Sequence, residues 1–170
     1  MEQTRLPVES VFFQLAYVTR DLDAAIAEIN RRFLPADFLT VPNSTPAPGG
    51  EAVKRIAYTW NGATMTEILE VDDATPSIFA DAVPAAAGEM ALHHLGFLVD
   101  DYPETLRRLR AWGYGIPILY DSPGFAEACY ADTRAAGGVY HEYIHIGPEG
   151  RAWYARIPGF QCMPQTAGGK

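Results

Sequence analysis

The chain repeats itself, and that internal symmetry limits the folds open to it more than any other feature. Gln14-Leu15-Ala16-Tyr17-Val18, running into Asp21-Leu22-Asp23, reads like His94-Leu95-Gly96-Phe97-Leu98 running into Asp100-Asp101. Each segment is a strand that ends in an acidic turn and opens a helix. Asp21 or Asp23 precedes Ala24–Ile29, and Asp101 precedes Pro103–Leu109; an acidic N-cap and a proline in the first turn are helix-start signals. A second pair repeats downstream, where Met65-Thr66-Glu67-Ile68-Leu69 parallels Tyr140-His141-Glu142-Tyr143-Ile144. Asn61-Gly62 predicts a type I′ hairpin turn between Val53–Trp60 and Ala63–Val71, and Gly137-Gly138 a looser turn between Ala128–Thr133 and Val139–Ile146. The order strand, helix, strands thus occurs twice. It predicts an α+β fold of two βαβββ modules forming a cupped mixed β-sheet with helices on its outer face. Module 1 covers about 11–71, a connector 72–90, module 2 about 91–146 and a C-terminal extension 147–170, all within one domain spanning 1–170.

Side chains alternate faces along a strand. Phe12, Gln14, Ala16 and Val18 are expected on one face, His94 with Gly96 and Leu98, Glu67 with Met65 and Leu69, and Glu142 with Tyr140 and Ile144. Four polar groups therefore fall at repeat-related places on otherwise apolar faces. A lone buried carboxylate is costly, and two repel each other unless a cation or proton lies between them. Gln14, Glu67, His94 and Glu142 are accordingly the expected metal ligands. One imidazole nitrogen with carboxylate and amide oxygens suits a divalent ion such as zinc, nickel, cobalt, manganese or iron. Strict alternation sends His93 to the opposite face, under the following helix, and turns His141 and His145 away from Glu142.

Composition narrows the remaining classes. A chain of 170 residues, 48% hydrophobic, holds enough apolar side chains for a full core. The net charge of −8 argues against a nucleic-acid partner, because the arginine clusters Arg31-Arg32 and Arg107-Arg108-Arg110 read as solvated helix faces. No apolar run approaches the ~20 residues needed to span a bilayer, so no membrane partner is expected. Cys129 and Cys162 match no metal or redox spacing, and the N-terminus lacks a charged segment followed by an apolar one. The expected location is cytoplasmic, with both thiols free.

These residues resemble the vicinal oxygen chelate superfamily of glyoxalases, bleomycin-resistance proteins and extradiol dioxygenases. The likeness is carried by Gln14–Val18 with Asp21–Ile26, by Ser77-Ile78-Phe79, by Gly88-Glu89 before His93-His94-Leu95-Gly96-Phe97, and by the two glutamate-bearing strands. The middle stretch looks most like methylmalonyl-CoA epimerases and glyoxalase-like relatives. The resemblance implies a metal-dependent isomerase, epimerase or lyase that acts on a small oxygenated carbonyl compound through an enediolate-type intermediate. It also implies a carboxylate base that loosens from the metal, Glu142 or Glu67; Glu142 is preferred for the tyrosines Tyr140 and Tyr143 beside it. Gln14 stands where epimerases usually carry a histidine. A Gln, Glu, His, Glu set is instead similar to that of zinc-dependent glyoxalase I, and it lacks the second imidazole of an iron extradiol dioxygenase. The alternative function is metal-free small-molecule binding, as in the sequestering relatives. A small-molecule substrate and a homodimer are the expected partners.

Two segments remain. Leu34–Gly50, rich in Pro, Gly, Ser and Thr, is long for a connection and reads as a loop over the pocket. The aromatic extension with Trp153, Tyr154 and Phe160 is expected to pack across the outside of the domain or at a dimer contact; the alternatives are that it closes the cup, or that Arg151 or Arg156 reaches an anionic substrate.

Overall fold

The computed structural model describes residues 8–32 and 36–166. Module 1 runs β1 (Val11–Thr19), α1 (Leu22–Arg32), β2 (Leu39–Pro42), β3 (Val53–Asn61) and β4 (Thr64–Val71). Module 2 runs β5 (Ala91–Leu98), α2 (Tyr102–Ala111), β6 (Ile118–Ser122), β7 (Ala126–Ala131), the one-turn α3 (Arg134–Gly137) and β8 (Tyr140–Ile146), and α4 (Pro148–Tyr154) follows. All eight strands form one mixed sheet in the order β2-β3-β4-β1-β5-β8-β7-β6. The α+β, doubly repeated architecture read from the sequence is the one observed.

The repeat becomes a local twofold relationship at the centre of the sheet. β1 and β5 run antiparallel with Leu15 opposite Leu95, and each has the fourth strand of its own module as parallel neighbour. Ala16 is thereby set beside Glu67 and Gly96 beside Glu142, so the two glutamates occupy equivalent places. Both helices start where acidic caps indicate: Asp21 Oδ1 accepts from Ala24 N at 3.0 Å, and Asp101 Oδ1 from Glu104 N at 3.0 Å. Asp23 instead meets Arg55 across to β3, with 3.1 Å between its Oδ2 and the guanidinium. Leu22 and Ala25 of α1 bury against Ala57 and Ile68, while Tyr102 and Leu109 of α2 bury against Phe97, Cys129 and Tyr143; these contacts cover the outer face of the sheet. Among the described residues no helix is long and apolar enough to cross a membrane.

Several local expectations change. The β3–β4 loop is Gly62-Ala63, one residue later than expected, because Asn61 pairs with Thr64. Positive φ occurs at Gly62 (63°) and at no described non-glycine residue, which is the II′ pattern and excludes type I′ at Asn61-Gly62. The Gly137-Gly138 turn is the end of the short α3, with Gly138 left-handed at φ 78°. The Leu34–Gly50 segment contains the edge strand β2; its first two residues lie outside the described ones.

Alternation itself fails at two equivalent points. The β1–β5 ladder shifts register between Phe12 and Gln14 and again between Ala16 and Tyr17, the latter leaving His93 without a partner in β1. Each shift is a β-bulge that inserts one residue and re-aims side chains. Phe13 turns into the core beside Trp60 and Met65, whereas Phe12 is 40% exposed rather than sharing the Gln14 face. In module 2 the bulged residue is His93.

Candidate metal centre

Gln14, Glu67, His94 and Glu142 come from the four central strands, and all four are buried. Gln14 Nε2 donates to Glu67 Oε2 at 2.6 Å. His94 Nε2 lies 3.3 Å from Glu67 Oε2 and 3.6 Å from Glu142 Oε2, close enough for charge attraction, yet it is a buried atom without a hydrogen-bond partner. His141 and His145 point away as expected: His141 packs against Phe97 at 4.9 Å and His145 Nδ1 lies 3.2 Å from the Val99 carbonyl.

His93 corrects the alternation argument. The bulge keeps it beside His94 instead of under α2, and its buried ring packs between Phe79, at 4.7 Å, and Tyr140, at 5.1 Å. Its Nε2 lies 3.0 Å from the Ile78 carbonyl, and its Nδ1 lies 3.0 Å from His94 Nδ1. A carbonyl only accepts, so His93 donates from Nε2, and a neutral His93 then accepts at Nδ1. His94 must donate from Nδ1. Burial and the adjacent His94 pull His93 down to about 3, which keeps it neutral and fixes this direction. His94 Nε2 is thus left to face the two carboxylates, as a lone pair when neutral or as an N–H when charged. Burial alone would lower the His94 pKa, but Glu142 and Glu67 outweigh it and lift it to about 9.

Sequence reasoning missed the tyrosines nearest the carboxylates. Tyr58 is the cross-strand partner of Glu67, and Tyr130 that of Glu142, another pair related by the repeat. Burial first, and the facing glutamate second, hold both phenols far above their ordinary pKa, so they keep their protons. The equivalent tyrosine-bearing strands were the available signal, but their register was not readable. Tyr143 packs in the outer core with Phe97 and α2, and Tyr140 stacks on His93; neither supplies the setting for Glu142 expected of it.

The donor set fits a divalent ion. Two ligands of one ion at about 2.1 Å stand roughly 3.0–3.4 Å apart, the scale of the separations around His94 Nε2. Among the described residues no three His, Cys, Asp or Glu side chains form a ready-made cage. The fit therefore rests on the orphaned nitrogen aimed between two carboxylates, with Gln14 Oε1 as a fourth donor. Gln14, Glu67 and Glu142 line a cavity of about 610 Å³ walled by both edge strands, by Asn43, Ser44 and Thr45 after β2, and by Trp153 and Tyr154 of α4; His94 lies buried behind them. The extension thus closes the cup rather than packing outside it. Arg151 Nε donates to the Ile146 carbonyl at 3.2 Å and is not part of the wall.

The cupped sheet of paired modules is the fold of solved methylmalonyl-CoA epimerases. Similar solved structures include methylmalonyl-CoA epimerases. That from Mycobacterium tuberculosis has a TM-score of 0.62 and 19% identity, over 83% of this chain and 91% of the other. One from Streptomyces coelicolor, in complex with 2-nitronate-propionyl-CoA, has a TM-score of 0.61 and 16% identity, over 83% and 97%. A hypothetical protein from Bacillus halodurans C-125 has 0.60 and 18%, over 81% and 95%. No established family description and no curated protein matches the chain.

Proposed function

We propose that the chain, as one glyoxalase-like domain spanning 1–170, is a metal-dependent isomerase, epimerase or lyase that moves a carbon-bound proton next to the carbonyl of a small oxygenated compound. The observation that carries this reading is His94 Nε2, buried, unpartnered and directed between two carboxylates. Gln14, Glu67, His94 and Glu142 would hold the ion, which when bound would stabilise negative charge developing on substrate oxygens, as in an enediolate. The epimerase neighbours, which catalyse an isomerase-type reaction on the same fold, agree with the reaction class.

The two carboxylates are not equivalent. Gln14 ties Glu67 at 2.6 Å, whereas Glu142 Oε2 stands 3.6 Å from His94 Nε2 and its carboxylate is freer to take a proton and return it. Tyr130, the cross-strand partner of Glu142, and Tyr154 are both buried and line the cavity with it. Metal-free small-molecule binding is the second reading, favoured by the aromatic wall of the cavity. A cytoplasmic homodimer remains the proposed state of the protein; Phe12 and Leu92, each 40% exposed on the central strands, suit a subunit contact.

The test is proton exchange in deuterated water with an α-hydroxyketone such as 2-hydroxyacetophenone. Wild type is expected to exchange the proton next to the carbonyl, and Glu142→Gln to do so roughly 10²–10⁴-fold more slowly. Wild-type exchange by Glu142→Gln would remove Glu142 as the base. Loss of exchange in Glu67→Gln at full metal occupancy would move the role there, and no exchange by wild type would favour the binding reading.

A further inference from the structure

The charges around the cavity restrict what can enter it. Its ionisable acids are Glu67 and Glu142 at the floor and Glu149 at the rim, and no Lys or Arg among the described residues belongs to the wall. Cations on β3 are engaged elsewhere: Arg55 with Glu70 at 2.6 Å, and Lys54 beside Asp72 at 3.7 Å. Arg134 lies over the Tyr140 ring and is held by Asp132 at 2.7 Å. The remaining wall is uncharged and mixed, with apolar side chains such as Val41, Ile56 and Ile144 beside polar ones such as Asn43, Ser44 and Tyr120.

The floor is never positive. With a divalent ion, the charges of Glu67 and Glu142 sum with it to zero, because Gln14 is neutral and His94 binds as neutral imidazole; without the ion the sum is negative. A carboxylate or phosphate entering this cavity would shed its hydration without gaining a counter-charge, which is strongly unfavourable. An uncharged molecule meets no such penalty, and it gains from the apolar part of the wall while its oxygens meet uncharged polar groups.

We propose that the substrate is an uncharged molecule bearing two adjacent oxygens, and that anionic acyl-CoA esters of the kind bound by the epimerase neighbours are excluded. The adjacent oxygens rest on the metal-centre reading above; the charge selection rests on the wall alone. The class spans aliphatic or aromatic α-hydroxyketones and vicinal diketones of a size that about 610 Å³ accepts.

Calorimetric titration of the full chain with benzoin, its anionic counterpart benzilate, and methylmalonyl-CoA tests this. The titrations are run on the purified protein and again after chelation, with metal content measured on the same samples. Benzoin is expected to bind in the metal-containing sample, with benzilate and methylmalonyl-CoA at least ~10-fold weaker in both samples. Either anion binding as tightly as benzoin, or no binding of benzoin to metal-containing protein, overturns the proposal. The metal content separates the two readings: anion preference with metal present refutes the substrate class alone. Discrimination against anions in protein that never holds metal refutes the metal centre alone.

Discussion

Gly96 faces Gln14 across the β1–β5 ladder, and a β-carbon placed on it would sit 2.7 Å from both Cβ and Oε1 of that glutamine. The glycine is what lets the Gln14 side chain lie flat beside Glu67. Gly96→Ala should therefore push Gln14 off its contact with Glu67, destabilise the protein by about 1–3 kcal/mol in urea unfolding, and weaken metal binding. Unchanged stability and metal affinity would show that the ladder accommodates the methyl and that Gln14 does not depend on the approach.

The His93–His94 contact gives a second expectation. His93→Phe keeps an aromatic ring between Phe79 and Tyr140 but leaves the His94 Nδ1–H without its acceptor. Metal affinity measured by equilibrium dialysis should fall by about 10–100-fold, the usual effect of removing a group that orients a ligand. His93→Gln, which restores an acceptor, should recover part of it. Equal affinity in wild type and His93→Phe would mean that the ring only fills space.

The raised pKa of His94 makes the metal-free protein pH-sensitive in a definite direction. Because the folded value, about 9, exceeds the ordinary 6.5, the stabilisation is complete below about 6.5 and is lost as pH rises through 9. Its size is roughly 3 kcal/mol from the shift. Urea unfolding of chelated wild type between pH 6 and pH 10, set against His94→Gln, measures it. Metal must displace the same proton, so affinity should rise about tenfold per pH unit until about 9. A flat profile on both counts would place the proton elsewhere.

Much of this was legible in the chain. Repetition of Gln14–Val18 as His94–Leu98, and of Met65–Leu69 as Tyr140–Ile144, carries the two-module fold and sets the four polar residues at equivalent places; the strand order and the parallel β1–β4 and β5–β8 pairing that join them are visible only in the structure. What alternation cannot reveal is a bulge: the extra residue that swings Phe13 inward and keeps His93 beside His94 exists only once β1 and β5 are paired. Tyr58 and Tyr130 were hidden for a related reason, since a cross-strand neighbour depends on register. The extension was misplaced because Trp153 reaches its partner Tyr58 over a long separation in sequence, with ring centroids 5.2 Å apart, and no local pattern encodes that contact.

The central claim is that Gln14, Glu67, His94 and Glu142 bind one divalent ion for chemistry rather than for folding. Elemental analysis of wild type and His94→Ala, each purified without added metal and each checked for a cooperative unfolding transition, tests it most directly. The account predicts about one transition-metal ion per wild-type chain and little in a His94→Ala protein that still folds, as expected of a lost ligand in a core that stands without the ion. Wild-type protein without metal that also fails to take it up, or His94→Ala protein that retains it, would contradict the account.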